Sequence, residues 1–423
     1  MITRAAVLST GDELTTGRIA DTNAQWLADK LFELGVDLVT VLTVGDYPER
    51  LEWAWQQALA QADLVVSTGG IGPTADDLTT ETIARVLGRR LVTDEPSADR
   101  IRRFFASRGV EMPQNNLKQA LVPEGYVLVP NALGTAPGYR VEADGKHVVV
   151  LPGVPREMKP MVEEHVLPWL RGQRGGEVYL AHTFQTFGIS ESGLDELVAG
   201  AVDPAEGRVS FRASFPEVSV RVVVHGAPDA AARRLEAVAA RMRERLGEFC
   251  YGEGATSMEE VVGRALRARG WKVAVAESCT GGLVGHRLTA IPGSSAYFVG
   301  GALAYANTAK MELLGVRRET LQTHGAVSEE CAAEMAAGAR TRLGADVAVS
   351  TTGIAGPDGG TPEKPVGLVC FGLATPDGVR SATHHLWGTR DWVKLLASQV
   401  ALDMVRRTTL GLPLWDPSRF RRR

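Results

Sequence analysis

The sequence predicts an α/β protein in which two three-layer α/β/α domains are joined by a small α+β domain. Three observations carry that prediction. The chain has 423 residues, too many for one ordinary hydrophobic core, so roughly two to four domains are expected. Both ends alternate apolar strand patterns with amphipathic helical patterns, the mark of βαβ units and of a parallel sheet covered on both faces. The stretch between them has a different pattern, with strand-like runs followed by one long helix.

Taken in order, residues 4–70 read RAAVLSTG, NAQWLADKLFELG, VDLVTVLTVG, YPERLEWAWQQALAQA and DLVVSTGG, which is strand, helix, strand, helix, strand. HVVVLPGVPREMKPMVEEHVLPWL adds another strand and helix and closes a first domain, 1–170. RGQRGGE is glycine-rich and charged, as a linker is, and opens a middle domain, 171–252. There VYLAHTFQTFG and VSVRVVVHG read as strands and APDAAARRLEAVAARMRERLG as a helix. The third region, 253–415, resumes the alternation: strands WKVAVAES, ADVAVSTTG and GLVCFGLA, helices SMEEVVGRALRARG, SEECAAEMAAGARTRLG and RDWVKLLASQVALDMVRR. A basic tail, 416–423, follows and reads as a solvated terminus.

Composition removes several classes of function. With 44% hydrophobic and 23% charged residues and no apolar run near the ~18 residues of a membrane span, a soluble protein is expected. The start, MITRAAVLSTGDELTTG, has too short an apolar run for a signal peptide, so a cytoplasmic location is expected. The four cysteines form no C-x-x-C pair, against a zinc knuckle or a disulfide framework. A net charge of −4 offers nucleic acid little attraction, and none is expected as a partner. GQRG at 172–175 formally fits the G-x-x-G of RNA-binding KH modules, but it precedes the segment instead of lying between two helices, so a spacer or dimerisation role is preferred.

The polar chemistry of the first domain lies where its strands end, which is where open α/β sheets gather ligands. STGDELTTG places Asp12 after the first strand, and STGGIGPTADDLTTE follows the third. In the latter, Gly70 and its neighbours let backbone amides approach an anion, Thr74 and Thr79 supply hydroxyls, and Asp76 and Asp77 sit at a helix start. Such a set suits a phosphate bridged by a divalent cation; it also suits a tight turn with a capped helix. Asn116 and Lys118 in NNLKQA, and Glu157 in LPGVPREM, add an amide, a cation and a carboxylate.

GDELTTGRIADTN, TVGD, GGIGPTADDLT, NNLKQA, NALGTAPG and LPGVPREM together resemble the N-terminal domain of the CinA family of competence/damage-inducible proteins, itself similar to MoaB/MogA molybdopterin-binding domains. The resemblance implies a hydrolase of ADP-ribose that uses a divalent metal (Mg, Mn or Co), with or without a monovalent cation. On it, Asp12, Asp76, Asp77 and Glu157 are candidate ligands of the metal or its waters. Gly70, Thr74, Thr79, Asn116 and Lys118 would hold the pyrophosphate. The middle segment resembles the family's small KH-type domain.

In the third region VAVAESCTGG ends a buried strand at Ser278. A serine there is exposed on a rigid strand end, next to first-turn helix amides that can stabilise an oxyanion. His286, His324, His384 and His385 are the region's histidines, and each reads more simply as a surface or core residue. A lysine of lowered pKa can replace histidine as base, and ALAYANTAK offers Tyr305, Asn307 and Lys310, the last near a helix start whose dipole disfavours its charge. STTGIAGPDGGTPEKPVG is a long Gly/Thr/Pro loop of the kind that meets a phosphate or a carboxamide, and it carries Lys364.

AESCTGGL, GSSAYFVGGALAYANTAK, HGAVSEE and STTGIAGPDGGTPEKPVG resemble the C-terminal CinA or PncC domain, a nicotinamide mononucleotide deamidase. The resemblance implies that Ser278 attacks the carboxamide, that Tyr305 and Lys310 assist as bases, and that this domain needs no cofactor. Backbone at Thr280 and Gly281 would form the oxyanion hole, with Asn307, Thr351, Gly353, Gly356 and Lys364 near the substrate. Ala306 stands where the family more often has serine. The whole chain then reads as a homodimeric, two-site hydrolase of pyridine-nucleotide metabolites. Two alternatives stay open: a pterin-carrying binding protein, and a competence or DNA-damage factor that acts by interaction.

Overall fold

The computed structural model describes residues 2–173 and 177–414, so part of the GQRG run and the basic tail lie outside the described residues. The chain divides into two compact units, Met1–Ala181 with Val223–Leu235, and His182–Val222 with Glu236–Arg423. Among the described residues no helix is long and apolar enough to cross a membrane.

The first unit is built on a six-stranded sheet in the spatial order Asp37–Val44, Arg4–Thr10, Leu64–Thr68, Lys146–Leu151, Gly138–Ala143, Val127–Val129. Alternation along each strand divides its side chains between two cores. Ala5, Val7, Leu64, Val66, Val149 and Leu151 pack against the helix Thr22–Glu33 and the helical stretch after Pro155. Ala6, Leu8, Val65, Val148 and Val150 face the helices Pro48–Gln61 and Thr79–Val86. The first four strands are parallel, with Thr10 opposite Val44 and Thr68 opposite Leu151, so the loops after them leave from one rim.

The sheet is mixed where a parallel one was expected. Gly138–Ala143 and Lys146–Leu151 run antiparallel through a turn at Asp144 (φ 51°) and Gly145 (φ 73°). An Asp-Gly pair is the sequence mark of such a hairpin, because both central residues need positive φ.

The middle segment forms a four-stranded sheet in the order Gly207–Ser214, Glu217–Gly226, Val178–Thr186, Cys250–Glu253. The sequence pattern did not mark its first and last strands. Gly207–Ser214 is mostly exposed and rich in arginine and serine, and Cys250–Glu253 has only four residues.

The second unit contains a five-stranded sheet in the order Phe298–Leu303, Val273–Glu277, Val347–Gly353, Leu368–Thr375, Gly378–His385. Its first three strands are parallel and its last two antiparallel. Val273, Val275, Val347 and Val349 pack on one face against the helices Met258–Arg269 and Arg390–Leu410. Ala274, Ala276 and Ala348 pack on the other against Asn307–Leu314 and Glu329–Leu343. Both sheets are thus three-layer α/β/α arrangements with their central strands fully buried.

Candidate active site

The strand Val273–Glu277 is buried along its whole length and ends in the turn Ser278–Gly282. The Ser278 amide donates to Thr351 O at 2.9 Å, which fixes the turn against the neighbouring strand. Gly281 (φ 62°) and Gly282 (φ 95°) then bend the chain into the helix Leu283–Thr289 through left-handed conformations that other residues adopt only under strain.

Glu277, whose role sequence reasoning missed, organises this turn. Its carboxylate is 1% exposed and accepts the amides of Gly282 (2.9 Å), Val284 (3.1 Å) and Gly285 (2.8 Å), and the Thr280 hydroxyl (2.6 Å). The helix amides expected to be free for an oxyanion are therefore occupied by Glu277. The Gly281 amide closes back onto Ser278 O at 3.2 Å. The Thr280 amide has no hydrogen-bond acceptor among the described residues. The only advance signal was a lone acid closing an apolar strand before a Gly-Gly turn.

Lys310 stands against the Ser278 side chain. It is 1% exposed, and its Nζ lies 3.0 Å from Ser278 Oγ, 2.8 Å from Ala304 O and 2.9 Å from Tyr305 O. Burial pushes the amine below the ordinary lysine value. The cause is therefore burial, not the helix end that the sequence suggested. A neutral amine has two N–H donors and one lone pair. In that form, with both protons directed to the two carbonyls, the lone pair would face the Ser278 hydroxyl. Cys279, next to Ser278, is buried and its thiol is pushed up to about 12, chiefly by burial, so it holds no thiolate at neutral pH.

The other predicted residues have different surroundings. Tyr305 is 67% exposed and joins Lys310 through its backbone carbonyl, while Asn307 is exposed on the first turn of its helix. Thr351 is buried, with Oγ1 2.7 Å from Thr280 Oγ1. At Gly353 and Gly356 the chain packs too closely for a side chain: a Cβ would lie 2.6 Å from Leu368 O and 2.5 Å from Val366 respectively. Lys364 donates to His324 O (2.6 Å) and Val327 O (2.7 Å), tying its loop to the turn before Glu329–Leu343. Two cations went unnoticed in the sequence. Arg390 donates to Gly356 O at 2.8 Å, and the Lys394 ammonium stands 4.0 Å from where a Cβ on Gly281 would lie.

In the first unit the polar loops meet at the ends of the parallel strands. Gly69 and Gly70 have positive φ, and a Cβ on Gly70 would lie 2.1 Å from Thr79 Oγ1, so only glycine fits against that buried threonine. Asp77 accepts the Thr74 amide (2.9 Å) and hydroxyl (2.5 Å), and Lys118 donates to Thr74 O (3.1 Å) and pairs with Glu81 (3.2 Å). Asn116 is buried against Gln119. Glu157 accepts from Asn131 at 2.9 Å.

Asp12 and Asp46 are joined reciprocally, the Asp12 amide donating to Asp46 Oδ2 (3.1 Å) and the Asp46 amide to Asp12 Oδ1 (3.3 Å). Burial, then the charges of Asp12, Glu13 and Asp76, raise the Asp46 carboxyl above its ordinary value. Asp46 lies in the TVGD run and had not been singled out. Among the described residues, no three His, Cys, Asp or Glu side chains already converge as a metal-ligand set. Asp76, Asp77 and Glu157 each hold a loop contact, the first two with Thr74 and the third with Asn131, and the charges of Asp12, Glu13 and Asp76 converge on Asp46, a repulsion that a cation would relieve.

Comparison with known proteins accounts for the order of these parts. A model described as "Probable molybdopterin binding domain" matches residues 6–172, one described as "Damage-inducible protein CinA KH domain" matches 181–252, and one described as "CinA C-terminal domain" matches 255–409. A competence-damage inducible protein of Symbiobacterium thermophilum is 46% identical over 96% of this chain and 99% of its own. One of Caldicellulosiruptor saccharolyticus is 42% identical over 96% of this chain and 99% of its own. The crystal structure of a CinA protein of unknown function from Thermoplasma acidophilum is 35% identical and covers 38% of this chain and 95% of its own, at a TM-score of 0.37. With likeness of this degree along nearly the whole length of the curated relatives, the chain belongs to the CinA family of competence/damage-inducible proteins.

Proposed function

We propose that the protein is a two-site hydrolase of pyridine-nucleotide metabolites, whose C-terminal domain deamidates nicotinamide mononucleotide to nicotinate mononucleotide and ammonia. The observation that carries this reading is the buried Lys310 amine 3.0 Å from Ser278 Oγ. Ser278 Oγ attacks the carboxamide carbon as Lys310 takes its proton. The C–N bond then breaks, and Lys310 returns the proton to the departing ammonia. Water, deprotonated by the same amine, attacks the acyl-serine ester, the C–Oγ bond breaks as Lys310 returns the proton to Ser278 Oγ, and the carboxylate is released. The Thr280 amide, without an acceptor among the described residues, would receive the oxyanion. Tyr305 would serve through its carbonyl, which orients the amine, since its side chain is exposed. The test is ammonia release from nicotinamide mononucleotide by the full chain and by Ser278→Ala. Release by the variant at the wild-type rate would end the mechanism.

The N-terminal domain is proposed to hydrolyse ADP-ribose to AMP and ribose 5-phosphate. A divalent cation (Mg, Mn or Co) would be held by Asp12, Asp46 and Asp76, and would neutralise pyrophosphate charge and activate water. Thr74, on the loop that Asp77 orders, and Lys118, which donates to Thr74 O from the segment Gln114–Ala120, would orient the pyrophosphate. The same reading takes the working protein as a cytoplasmic homodimer with small nucleotides, not nucleic acid, as its ligands.

A further inference from the structure

The last helix of the second unit, Arg390–Leu410, presents two faces with different partners. At about 100° per residue, Trp392 and Gln399 fall on one side of it and Arg390 and Lys394 on the opposite side. The Arg390 and Lys394 side reaches the loops around the nucleophile: Arg390 holds Gly356 O at 2.8 Å, and Lys394 stands beside Gly281. The Trp392 and Gln399 side meets the turn between the strands Gly207–Ser214 and Glu217–Gly226 of the middle segment. Phe215 stacks on Trp392 with ring centroids 4.3 Å apart and planes at 21°, and meets Trp387 edge-on at 5.6 Å.

Two residues on, the Glu217 carboxylate accepts Gln399 Nε2 at 2.7 Å and a hydrogen bond from Tyr251. Gln399 Oε1 accepts from Arg287, which also donates to Ser398 Oγ at 2.9 Å and pairs with Glu259. Arg287 lies on Leu283–Thr289, the helix that grows out of the Ser278 turn. The hairpin therefore grips the last helix at two points seven residues apart, and reaches the helix after the nucleophile through the second. None of these residues touches Ser278 or Lys310, and the deamidation mechanism uses none of them.

We propose that this hairpin positions the Ser278 site: Phe215 and Glu217 hold the last helix so that Arg390 and Lys394 face the substrate's phosphate, and the middle segment thereby sets affinity for the nucleotide. The proposal rests on the deamidase reading above. Two cations aimed at one loop cluster are the chemistry that recognises a phosphomonoester, and their value depends on being held in place before binding. Phe215 and Glu217 are positioning residues, so losing them should weaken binding and leave bond-breaking intact.

The experiment uses the full chain and nicotinamide mononucleotide, with steady-state kinetics and a Kd from tryptophan fluorescence. Phe215→Ala is expected to raise KM and Kd roughly tenfold through lost preorganisation, with kcat within about twofold of wild type. Glu217→Leu should do the same, while Phe215→Tyr and Glu217→Gln, which keep the stack and the acceptor, should behave as wild type. If Phe215→Ala fails to fold, Glu217→Leu carries the comparison. KM and Kd unchanged in a folded variant, or a fall in kcat alone, would overturn the positioning role while leaving the deamidase reading intact. A wild type that binds nucleotide without releasing ammonia would overturn the deamidase reading, and the Kd comparison would still decide the hairpin's role. A wild type that neither binds nor turns over nucleotide would overturn both.

Discussion

Replacing Lys310 by arginine tests the centre of the mechanism. The amine is 1% exposed, 3.0 Å from Ser278 Oγ, and bounded on its other sides by two carbonyls at 2.8 and 2.9 Å. A neutral lysine can accept the serine proton there; an arginine cannot, because its guanidinium stays protonated and offers no lone pair. General-base assistance is worth about 10²–10⁴-fold, which at ~1.36 kcal/mol per decade is about 3–5 kcal/mol of barrier. Ammonia release should therefore fall by at least about a hundredfold in kcat. Because the reactive form is the deprotonated one, wild-type kcat/KM should rise with pH through the Lys310 value, which burial sets below that of an ordinary lysine. Lys310→Met should be as inactive as the arginine variant and lose that limb. A folded Lys310→Arg variant keeping more than about a tenth of wild-type kcat, well outside the general-base range, would refute the assignment.

Four further outcomes follow from the same geometry. Cys279→Ala should keep kcat within about twofold, since a thiol pushed up to about 12 is no nucleophile; loss of turnover would bring Cys279 into the chemistry. Glu277→Gln should cost about 2–3 kcal/mol in a denaturant titration, because one acceptor oxygen becomes an amide NH2 donor facing backbone N–H. In the first unit, the Asp46 carboxyl has a folded value above its unfolded one. Its contribution is complete below the unfolded value and is lost as pH rises through the folded one, so Asp46→Asn should raise Tm at neutral pH and converge with wild type in acid. Asp76→Ala should remove ADP-ribose hydrolysis and the response to added divalent cation while leaving ammonia release unchanged, and parallel losses of both reactions would contradict separate sites.

The elements of the fold were legible wherever one periodicity dominated. The strands Arg4–Thr10, Leu64–Thr68 and Val347–Gly353 and the helices between them stand where alternating and helical patterns put them, because each buries one face or both and its sequence must say so. Gly207–Ser214 escaped because it is mostly exposed and need not be apolar. The antiparallel edge of the first sheet was marked by Ala-Asp-Gly-Lys, a local turn code that strand counting passes over. Glu277 and Asp46 show the opposite limit. An acid's role depends on what surrounds it, and nothing in the letters around Glu277 says that three amides converge on it.

Sequence alone carried the two α/β architectures, the serine at a strand end and the lysine thirty-two positions later, since these depend on residue type and short-range pattern. The partnership between them needed the fold. The Ser278 turn and the Asn307–Leu314 helix belong to neighbouring parallel strands, and only their register brings Nζ and Oγ within hydrogen-bond reach. Packing also divided the tasks: it buried Lys310, left the Tyr305 phenol in solvent, turned Lys364 to loop carbonyls and gave the helix amides to Glu277. Desolvation and donor competition depend on every atom within a few ångströms, and most of those come from distant parts of the chain.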